Sequence, residues 1–187
     1  MKLIILDRDG VINQDSDAFI KSPDEWIPIT GSLQAIARLN QAGYRVVVAT
    51  NQSGIGRKLF DMATLNAIHQ KMHHMAQQVG ATIDAIFFCP HMADDNCDCR
   101  KPKPGMLHEI ARRYDQPLKG VHTVGDSLRD LQAGFVMGCI PHLVLTGKGK
   151  QTLEKGGLPP GTELYLDLAT MVDKLLASPP SDTQTAA

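Results

Sequence analysis

The chain has few of the residues from which surfaces that bind nucleic acid or membranes are built. Aromatic residues make up 5% of its 187 residues, and the formal net charge at pH 7 is −1. Without a basic stripe carrying interleaved aromatic side chains, there is no reason to predict binding of single-stranded nucleic acid. No apolar run approaches the roughly 20 residues that span a bilayer, and the N-terminus lacks a signal-peptide pattern. We therefore predict a cytoplasmic protein without nucleic-acid or membrane partners.

Cysteine is also scarce, but three of the four cysteines lie within eleven residues. Cys89, Cys97 and Cys99 surround His91 in the sequence. Such crowding in a cytoplasmic protein favours a metal site over a disulfide. Three thiolates and one imidazole suffice for a closed tetrahedral zinc site, which leaves no coordination position for catalysis. We predict a structural zinc loop over residues 89–99; unligated cysteines are the alternative.

Strand-like and helix-like segments alternate along the chain. Apolar runs predict strands over Leu3–Leu6, Arg45–Thr50, Ala85–Phe88, Val121–Val124 and Ile140–Leu145. Apolar residues at helical spacing predict helices over Ser32–Gln41, Met62–Val79, Gly105–Tyr114, Asp130–Met137 and Leu168–Leu176. This alternation predicts an α/β fold, with a central parallel sheet and helices on both of its faces.

The length fits one domain, which we predict over residues 1–177, followed by a disordered tail over residues 178–187. Residues Lys148–Gly161 are rich in glycine and proline and predict a surface loop. On the longest predicted helix, His69, His73 and His74 are interpreted as solvated or capping residues.

The strongest functional signal follows the first predicted strand. Asp7 and Asp9 come directly after the apolar run Leu3–Leu6. In open α/β folds the carboxyl edge of the sheet is where ligands bind. A carboxylate pair there suits Mg²⁺ together with substrate phosphate oxygens, and a carboxylate can also act as a nucleophile. An acidic turn after a strand is the alternative interpretation.

Three further strand ends carry polar groups of the matching kinds. The second strand ends in Thr50-Asn51-Gln52-Ser53, whose hydroxyl, amide and backbone donors suit phosphate oxygens. Lys101 lies in RKPKPG, where two prolines fix the backbone, and can neutralise a phosphoryl group. Asp126 in VGDS is the natural remaining Mg²⁺ ligand. Asp130 could reach the metal through water, hold Lys101, or cap a helix. Each motif alone also fits an ordinary surface turn, but a parallel sheet would bring all four to one edge.

These motifs resemble those of the haloacid dehalogenase (HAD) superfamily of phosphohydrolases. The residues that carry the resemblance lie in DRDG at 7–10, TNQSG at 50–54, CPH at 89–91, CDCRKP at 97–102, PGML at 104–107, and GD at 125–126. The resemblance spans residues 3 to 150 and implies a Rossmann-like HAD fold. The gaps that hold cap domains in larger members are short here, so we expect loops alone to shape the site.

The resemblance implies a role for each residue of the site. Asp7 would attack phosphorus, Asp9 would act as general acid and base, and Thr50 and Lys101 would stabilise the transferring phosphoryl group. The Asp7 and Asp126 side chains and the Asp9 carbonyl would hold Mg²⁺. We expect the following residues to contact substrate: Asp15, Ser16, Asn51, Gln52, Ser53, Arg57 and Arg100. For Arg57 a solvated basic turn is the alternative. The family often has Lys where this chain has Ser127, so the role of Ser127 stays open.

The resemblance is closest to enzymes that remove the 7-phosphate from D-glycero-D-manno-heptose 1,7-bisphosphate, in the biosynthesis of nucleotide-activated heptose for lipopolysaccharide. A sugar bisphosphate is therefore the expected partner, Mg²⁺ and Zn²⁺ are the expected metals, and a monomer is expected. Three alternatives stay open at this point: a histidinol-phosphate phosphatase of the same subfamily, a polynucleotide-end phosphatase, and a non-catalytic zinc-stabilised binding module.

Overall fold

The computed structural model of the chain describes residues 1–177, and the predicted tail over residues 178–187 lies outside them. The strands are β1 Lys2–Leu6, β2 Tyr44–Asn51, β3 Ala85–Cys89, β4 His122–Gly125, β5 Ile140–Val144 and β6 Glu163–Tyr165. The α-helices are α1 Ser32–Gln41, α2 Met62–Gln78, α3 Gly105–Arg113, α4 Leu128–Val136, α5 Gly149–Lys155 and α6 Leu168–Ala177.

The six strands form one sheet in the order β3-β2-β1-β4-β5-β6, and every neighbouring pair is parallel. The chain winds outwards from β1 towards β3, then crosses to β4 and continues the other way. The crevice between β1 and β4 is thus the point where the strand order reverses, and ligands of doubly wound sheets bind at that place. Leu6 of β1 is level with Val48 of β2 and Val124 of β4, so the residues after them share one edge.

Alternate residues of the central strands enter two separate cores. Ile4 and Leu6 pack under α1, α2 and α6, while Leu3 and Ile5 pack under α3 and α4. Both faces of the sheet are therefore buried, as the unbroken apolar runs predicted for a parallel sheet. The α/β class with helices on both faces is confirmed.

Two sequence interpretations are wrong, one for the segment Lys148–Gly161 and one for His69. The segment Lys148–Gly161, predicted as a surface loop, contains helix α5, and the short edge strand β6 was not predicted. On α2, His69 is not solvated but buried, and it contacts Arg8. The loop after Cys89 also contains a short 3₁₀ turn, Ala93–Asp95, where no helical pattern was expected.

The loops after β1 and β2 carry no further domain. No helix or regular strand of the described chain lies between Leu6 and Ser32, or between Asn51 and Met62, apart from single bridges at Asp9, Asn13 and Pro28. Nor does any described helix have the length and apolar character needed to cross a membrane. The cleft at the sheet edge is therefore bounded by loops.

Candidate active site

One cleft lies over the carboxyl edge of the sheet, at the reversal point between β1 and β4. All residues predicted to be catalytic, to bind substrate or to hold Mg²⁺ line it. Its volume of about 270 Å³ is near the lower end of the range of small-molecule sites. The tips of β1, β2 and β4 thus meet in one place, with Asp7 and Asp126 119 positions apart in the chain. The fourth predicted strand end is wrong: Lys101 reaches the cleft from a loop, 12 residues after β3 ends at Cys89.

Lys101 lies at the base of the cleft between two carboxylates. Its Nζ atom is 3.0 Å from Asp7 Oδ1 and 2.6 Å from Asp130 Oδ1, and it donates to the carbonyl of Ala49 at 2.6 Å. Burial acts to lower the pKa of Lys101, but Asp130 and Asp7 raise it above its usual value. Lys101 is therefore a fixed cation beside the proposed nucleophile.

The carboxylates of Asp7, Asp126 and Asp130 form a compact cluster, with one oxygen of each within 4.8 Å of the others. Burial and the charge of Asp130 raise the pKa of Asp7 to about 7, against the opposing effect of Lys101. Burial and the charges of Asp130 and Asp7 raise the pKa of Asp126 to about 8. Negative charge thus exceeds what Lys101 alone compensates, and a divalent cation with oxygen preference fits this donor set.

Two glycines bring the backbone against the Asp126 carboxylate. A Cβ atom on Gly10 would lie 2.0 Å from Asp126 Oδ2, and one on Gly147 would lie 2.2 Å from the same atom. Both glycines have positive φ, +79° and +54°. The N–H of Lys148 donates to Asp126 Oδ2 at 2.7 Å and orients the carboxylate. Only glycine permits this close approach.

Asp9 is held differently from Asp7. Arg8 donates to both of its oxygens at 3.0 Å, Asn13 to Oδ1 at 2.9 Å, and Gln52 to Oδ2 at 2.8 Å. Burial acts to raise the pKa of Asp9, but the Arg8 charge and the hydrogen bonds from Asn13, Arg8 and Gln52 hold it below its usual value. Two neighbouring carboxyls therefore differ in electrostatic environment, which suits separate roles.

Two residues predicted to contact substrate already have protein partners. The Asn51 side chain accepts from the Lys101 N–H and donates to the Lys101 carbonyl, both at 3.1 Å, and so fixes the backbone of that residue. Gln52 donates to Asp9 and to Thr50 Oγ1 at 2.8 and 3.0 Å. The Thr50 hydroxyl proton is then available to another acceptor. A direct substrate contact of Asn51 and Gln52 stays a prediction.

Ser127 and Asp130 together begin helix α4. Ser127 is the N-cap, and Asp130 Oδ2 accepts from its N–H at 3.0 Å and from its hydroxyl at 2.6 Å. Of the three roles left open for Asp130, the structure shows the contact with Lys101, and the helix cap itself is Ser127 rather than Asp130. A capping box accounts for the pair.

The mouth of the cleft carries charges of both signs. The remaining predicted substrate residues, Asp15, Ser16, Ser53, Arg57 and Arg100, line it. Sequence reasoning missed Arg129 and Lys148, which also line it. Lys148 Nζ is 3.2 Å from Asp15 and 3.4 Å from Asp17, so it links two loops across the opening. Lys148 was overlooked because its glycine-rich segment predicted only a surface loop.

The predicted zinc ligands converge next to this cleft. Cys89 Sγ is 3.0 Å from Cys99 Sγ and 3.6 Å from Cys97 Sγ, and His91 Nδ1 is 3.3 Å from Cys99 Sγ. A tetrahedron with Zn–S bonds of about 2.3 Å has edges of roughly 3.7 Å, so the four donor atoms fit around such an ion. The geometry is compatible with a zinc loop. Cys99 lies two residues before Lys101, so the cluster directly precedes the segment predicted to be catalytic.

Comparison with known proteins identifies the family to which this site belongs. The model of the polynucleotide kinase 3 phosphatase family matches residues 2–130, and that of the HAD-hydrolase-like family matches residues 98–170. The D-glycero-beta-D-manno-heptose-1,7-bisphosphate 7-phosphatase of Bordetella bronchiseptica is 66% identical over 94% of this chain and 98% of its own. That of Neisseria meningitidis serogroup A is 55% identical over 97% of this chain and 100% of its own.

A solved structure extends the likeness to three dimensions. The crystal structure of the D,D-heptose 1,7-bisphosphate phosphatase from B. bronchiseptica, complexed with magnesium and phosphate, superposes with a TM-score of 0.93. It covers 94% of this chain and 98% of the other, at 66% identity. The chain therefore belongs to the HAD-superfamily phosphatases, within the D-glycero-beta-D-manno-heptose-1,7-bisphosphate 7-phosphatase family.

Proposed function

We propose that the chain hydrolyses the 7-phosphate of D-glycero-β-D-manno-heptose 1,7-bisphosphate, with Mg²⁺ in the cleft and an aspartyl-phosphate intermediate. The observation that carries the proposal is the convergence of Asp7, Lys101 and Asp126 on one edge of the sheet, in a chain 66% identical to a phosphatase of that name. We propose the β anomer as substrate, which the names of the relatives support.

The proposed reaction has two steps at Asp7. A carboxylate oxygen of Asp7 attacks phosphorus, and the bond from phosphorus to the sugar oxygen breaks. Asp9, whose pKa is low in the free site, takes up a proton when the negatively charged phosphate binds beside it, and gives that proton to the sugar oxygen as the heptose leaves. Asp9 then takes a proton from water, whose oxygen attacks phosphorus and releases inorganic phosphate from Asp7. Thr50 and Lys101 stabilise the charge of the phosphoryl group in both steps.

Each metal has its own set of residues in this proposal. Asp7, Asp126 and the Asp9 carbonyl hold Mg²⁺, which supplies positive charge that reduces the repulsion between carboxylate and phosphate. Cys89, His91, Cys97 and Cys99 hold Zn²⁺, which fixes the segment that leads into Arg100 and Lys101. Arg57 and Arg100 at the mouth receive the parts of the substrate beyond the reacting phosphate.

Steady-state kinetics on purified protein test the substrate. We expect kcat/KM for heptose 1,7-bisphosphate to exceed that for histidinol phosphate, the alternative substrate of the subfamily, by at least roughly a hundredfold, about 3 kcal/mol. The β and α anomers are assayed separately, and the β anomer is expected to be preferred. A preference for histidinol phosphate would contradict the proposal. Absence of any turnover in the presence of Mg²⁺ would favour the non-catalytic binding module.

The match to the polynucleotide kinase 3 phosphatase model gives one further candidate function, removal of a terminal phosphate from a polynucleotide. The near-neutral net charge argues against it, since phosphate backbones are bound by many cations. The acidic residues Asp15 and Asp17 at the mouth argue the same way. A 3′-phosphorylated oligonucleotide in the same assay is therefore expected to be a poor substrate.

A further inference from the structure

Arg8, between Asp7 and Asp9 in sequence, is completely buried, and within residues 1–177 its ion-pair partner is Asp9. It continues the inward-facing series Ile4 and Leu6, so its side chain enters the core under α2 instead of the cleft. Its guanidinium donates to both oxygens of Asp9 at 3.0 Å and to Gln52 Oε1 at 3.2 Å. The remaining terminal nitrogen, Nη1, lies 3.3 Å from Nε2 of His69.

His69 completes the set of acceptors around this guanidinium. Because an arginine guanidinium only donates, Nε2 of His69 must accept, and the ring proton is then on Nδ1. Burial and the adjacent Arg8 charge lower the pKa of His69 to about 3, so the ring stays neutral at working pH. His69 therefore provides a permanent acceptor at a position 61 residues from Arg8 in the chain.

We propose that His69 is a positioning residue for the phosphatase reaction: it fixes Arg8, and Arg8 with Gln52 fixes the carboxylate of Asp9. A guanidinium without an acceptor on one side could rotate about its long side chain, and the paired Asp9 oxygens would move with it. General acid catalysis depends on such placement, because the proton donor must lie within hydrogen-bond reach of the leaving oxygen. The inference rests on the proposed function, since it assigns Asp9 to proton transfer.

The test uses the leaving-group dependence of kcat/KM, which covers the steps up to departure of the leaving group. A sugar alcohol needs a proton as it leaves, whereas the p-nitrophenolate of p-nitrophenyl phosphate does not. We expect His69→Leu, loaded with zinc and Mg²⁺, to lose roughly tenfold or more on the heptose bisphosphate. On p-nitrophenyl phosphate we expect less than about a threefold loss.

Two further variants separate positioning from folding. His69→Gln retains an acceptor oxygen for Arg8, and we expect it to recover most of the activity on the sugar phosphate. His69→Met fills a similar volume with a flexible apolar side chain, and it replaces His69→Leu if that variant does not fold. The matched control is His74→Leu on the same helix, where the side chain is exposed and contacts Gln78; it is expected to match the wild type on both substrates.

An equal loss on both substrates, a larger loss on the aryl phosphate, or no loss at all would overturn the proposal. Failure of His69→Gln to recover activity would do so as well. The outcome is independent of the heptose assignment, because the wild type reports substrate identity directly. If the wild type prefers another alkyl phosphate, the same variants are compared on that ester.

Discussion

At the residue scale, the site separates two acidic side chains that are only two positions apart. Asp7 shares its surroundings with Asp130 and Asp126, and its pKa is raised to about 7, mainly by burial. Asp9 is surrounded by donors from Arg8, Asn13 and Gln52, and its pKa is lowered. Alternation along an extended segment does not separate Asp7 from Asp9, because residues two positions apart point to the same side. The difference comes from their partners, which are Lys101 and carboxylates for Asp7 and hydrogen-bond donors for Asp9.

Replacement of Asp7 tests the nucleophile. Asp7→Asn keeps the size of the side chain but removes the attacking oxygen charge, so we expect kcat to fall by roughly 10⁴-fold or more. Folding and zinc content should be unchanged in circular dichroism and elemental analysis. The control Asp24→Asn makes the same chemical change on an exposed loop residue and should leave kcat unaffected. Substantial turnover by Asp7→Asn would exclude Asp7 as the nucleophile.

At the element scale, sequence patterns predicted the strands and helices whose own apolar pattern matches their burial in the fold. Buried apolar strands ending in polar residues were placed to within two residues of their observed ends, and with them the tips that form the site. Helix α5 was missed because GKGKQTLEKGGLPPG has turn composition and little to bury. Strand β6 follows that segment and was missed because it has only three residues, none of them fully buried. Packing against the rest of the sheet decides their structure, and a local pattern does not contain that information.

His69 shows a different kind of miss, since its signal was present in the sequence. It lies four residues after Leu65 and three before Met72, on the buried stripe of α2. A histidine is typically expected at the surface, whereas the position of His69 on the helix indicated that its side chain faces the core. The burial of Arg8 was missed for the same reason. Its position continues the inward-facing series Ile4 and Leu6 of β1, but its charge suggested a surface location. The structure was needed to show that the two meet.

The zinc loop is the element whose order we expect to depend on metal. Cys97→Ser removes one of four donors, so elemental analysis should show a fall from about one zinc per chain to near zero. Activity should fall roughly tenfold to hundredfold, because the loop leads into the Lys101 segment that Asn51 clamps. Cys139→Ala, outside the loop, is the control and should retain its zinc. Full zinc occupancy in Cys97→Ser would contradict the ligand assignment.

At the scale of the whole molecule, the fold holds a cluster of like charges at its centre, and this links stability to pH and to Mg²⁺. The folded-state pKa values of Asp7 and Asp126, about 7 and about 8, lie above the usual value of 3.8. Between pH 3.8 and about 8 the folded chain binds more protons at these two residues than the unfolded chain does. Their contribution to stability is therefore fully present below pH 3.8 and is lost as pH rises through 7 to 8.

We therefore expect the magnesium-free, zinc-loaded protein to lose thermal stability between pH 6 and pH 8, at a rate of up to about 1.4 kcal/mol per pH unit for each proton released. Mg²⁺ should raise the melting temperature more at pH 8 than at pH 6, because it binds the deprotonated cluster. Thermal melts at three pH values, with and without Mg²⁺, measure this. In Asp126→Asn the pH dependence should be weaker. A stabilisation by Mg²⁺ that is the same at every pH would contradict the expectation.

The residues proposed for chemistry and those proposed for substrate contact lie in different parts of the fold, which has a consequence for engineering the chain. Of the groups proposed to carry out the chemistry, Asp7, Thr50 and Asp126 lie in strands or directly after them, whereas Asp15, Ser16 and Arg57 belong to the connecting loops. A combinatorial library restricted to positions 15–19 and 55–58 would thus redirect the enzyme towards new esters while its turnover machinery is inherited unchanged. Diversity introduced at Gly10 or Gly147 would instead yield mostly inactive variants, since any larger residue occupies the space of the Asp126 carboxylate.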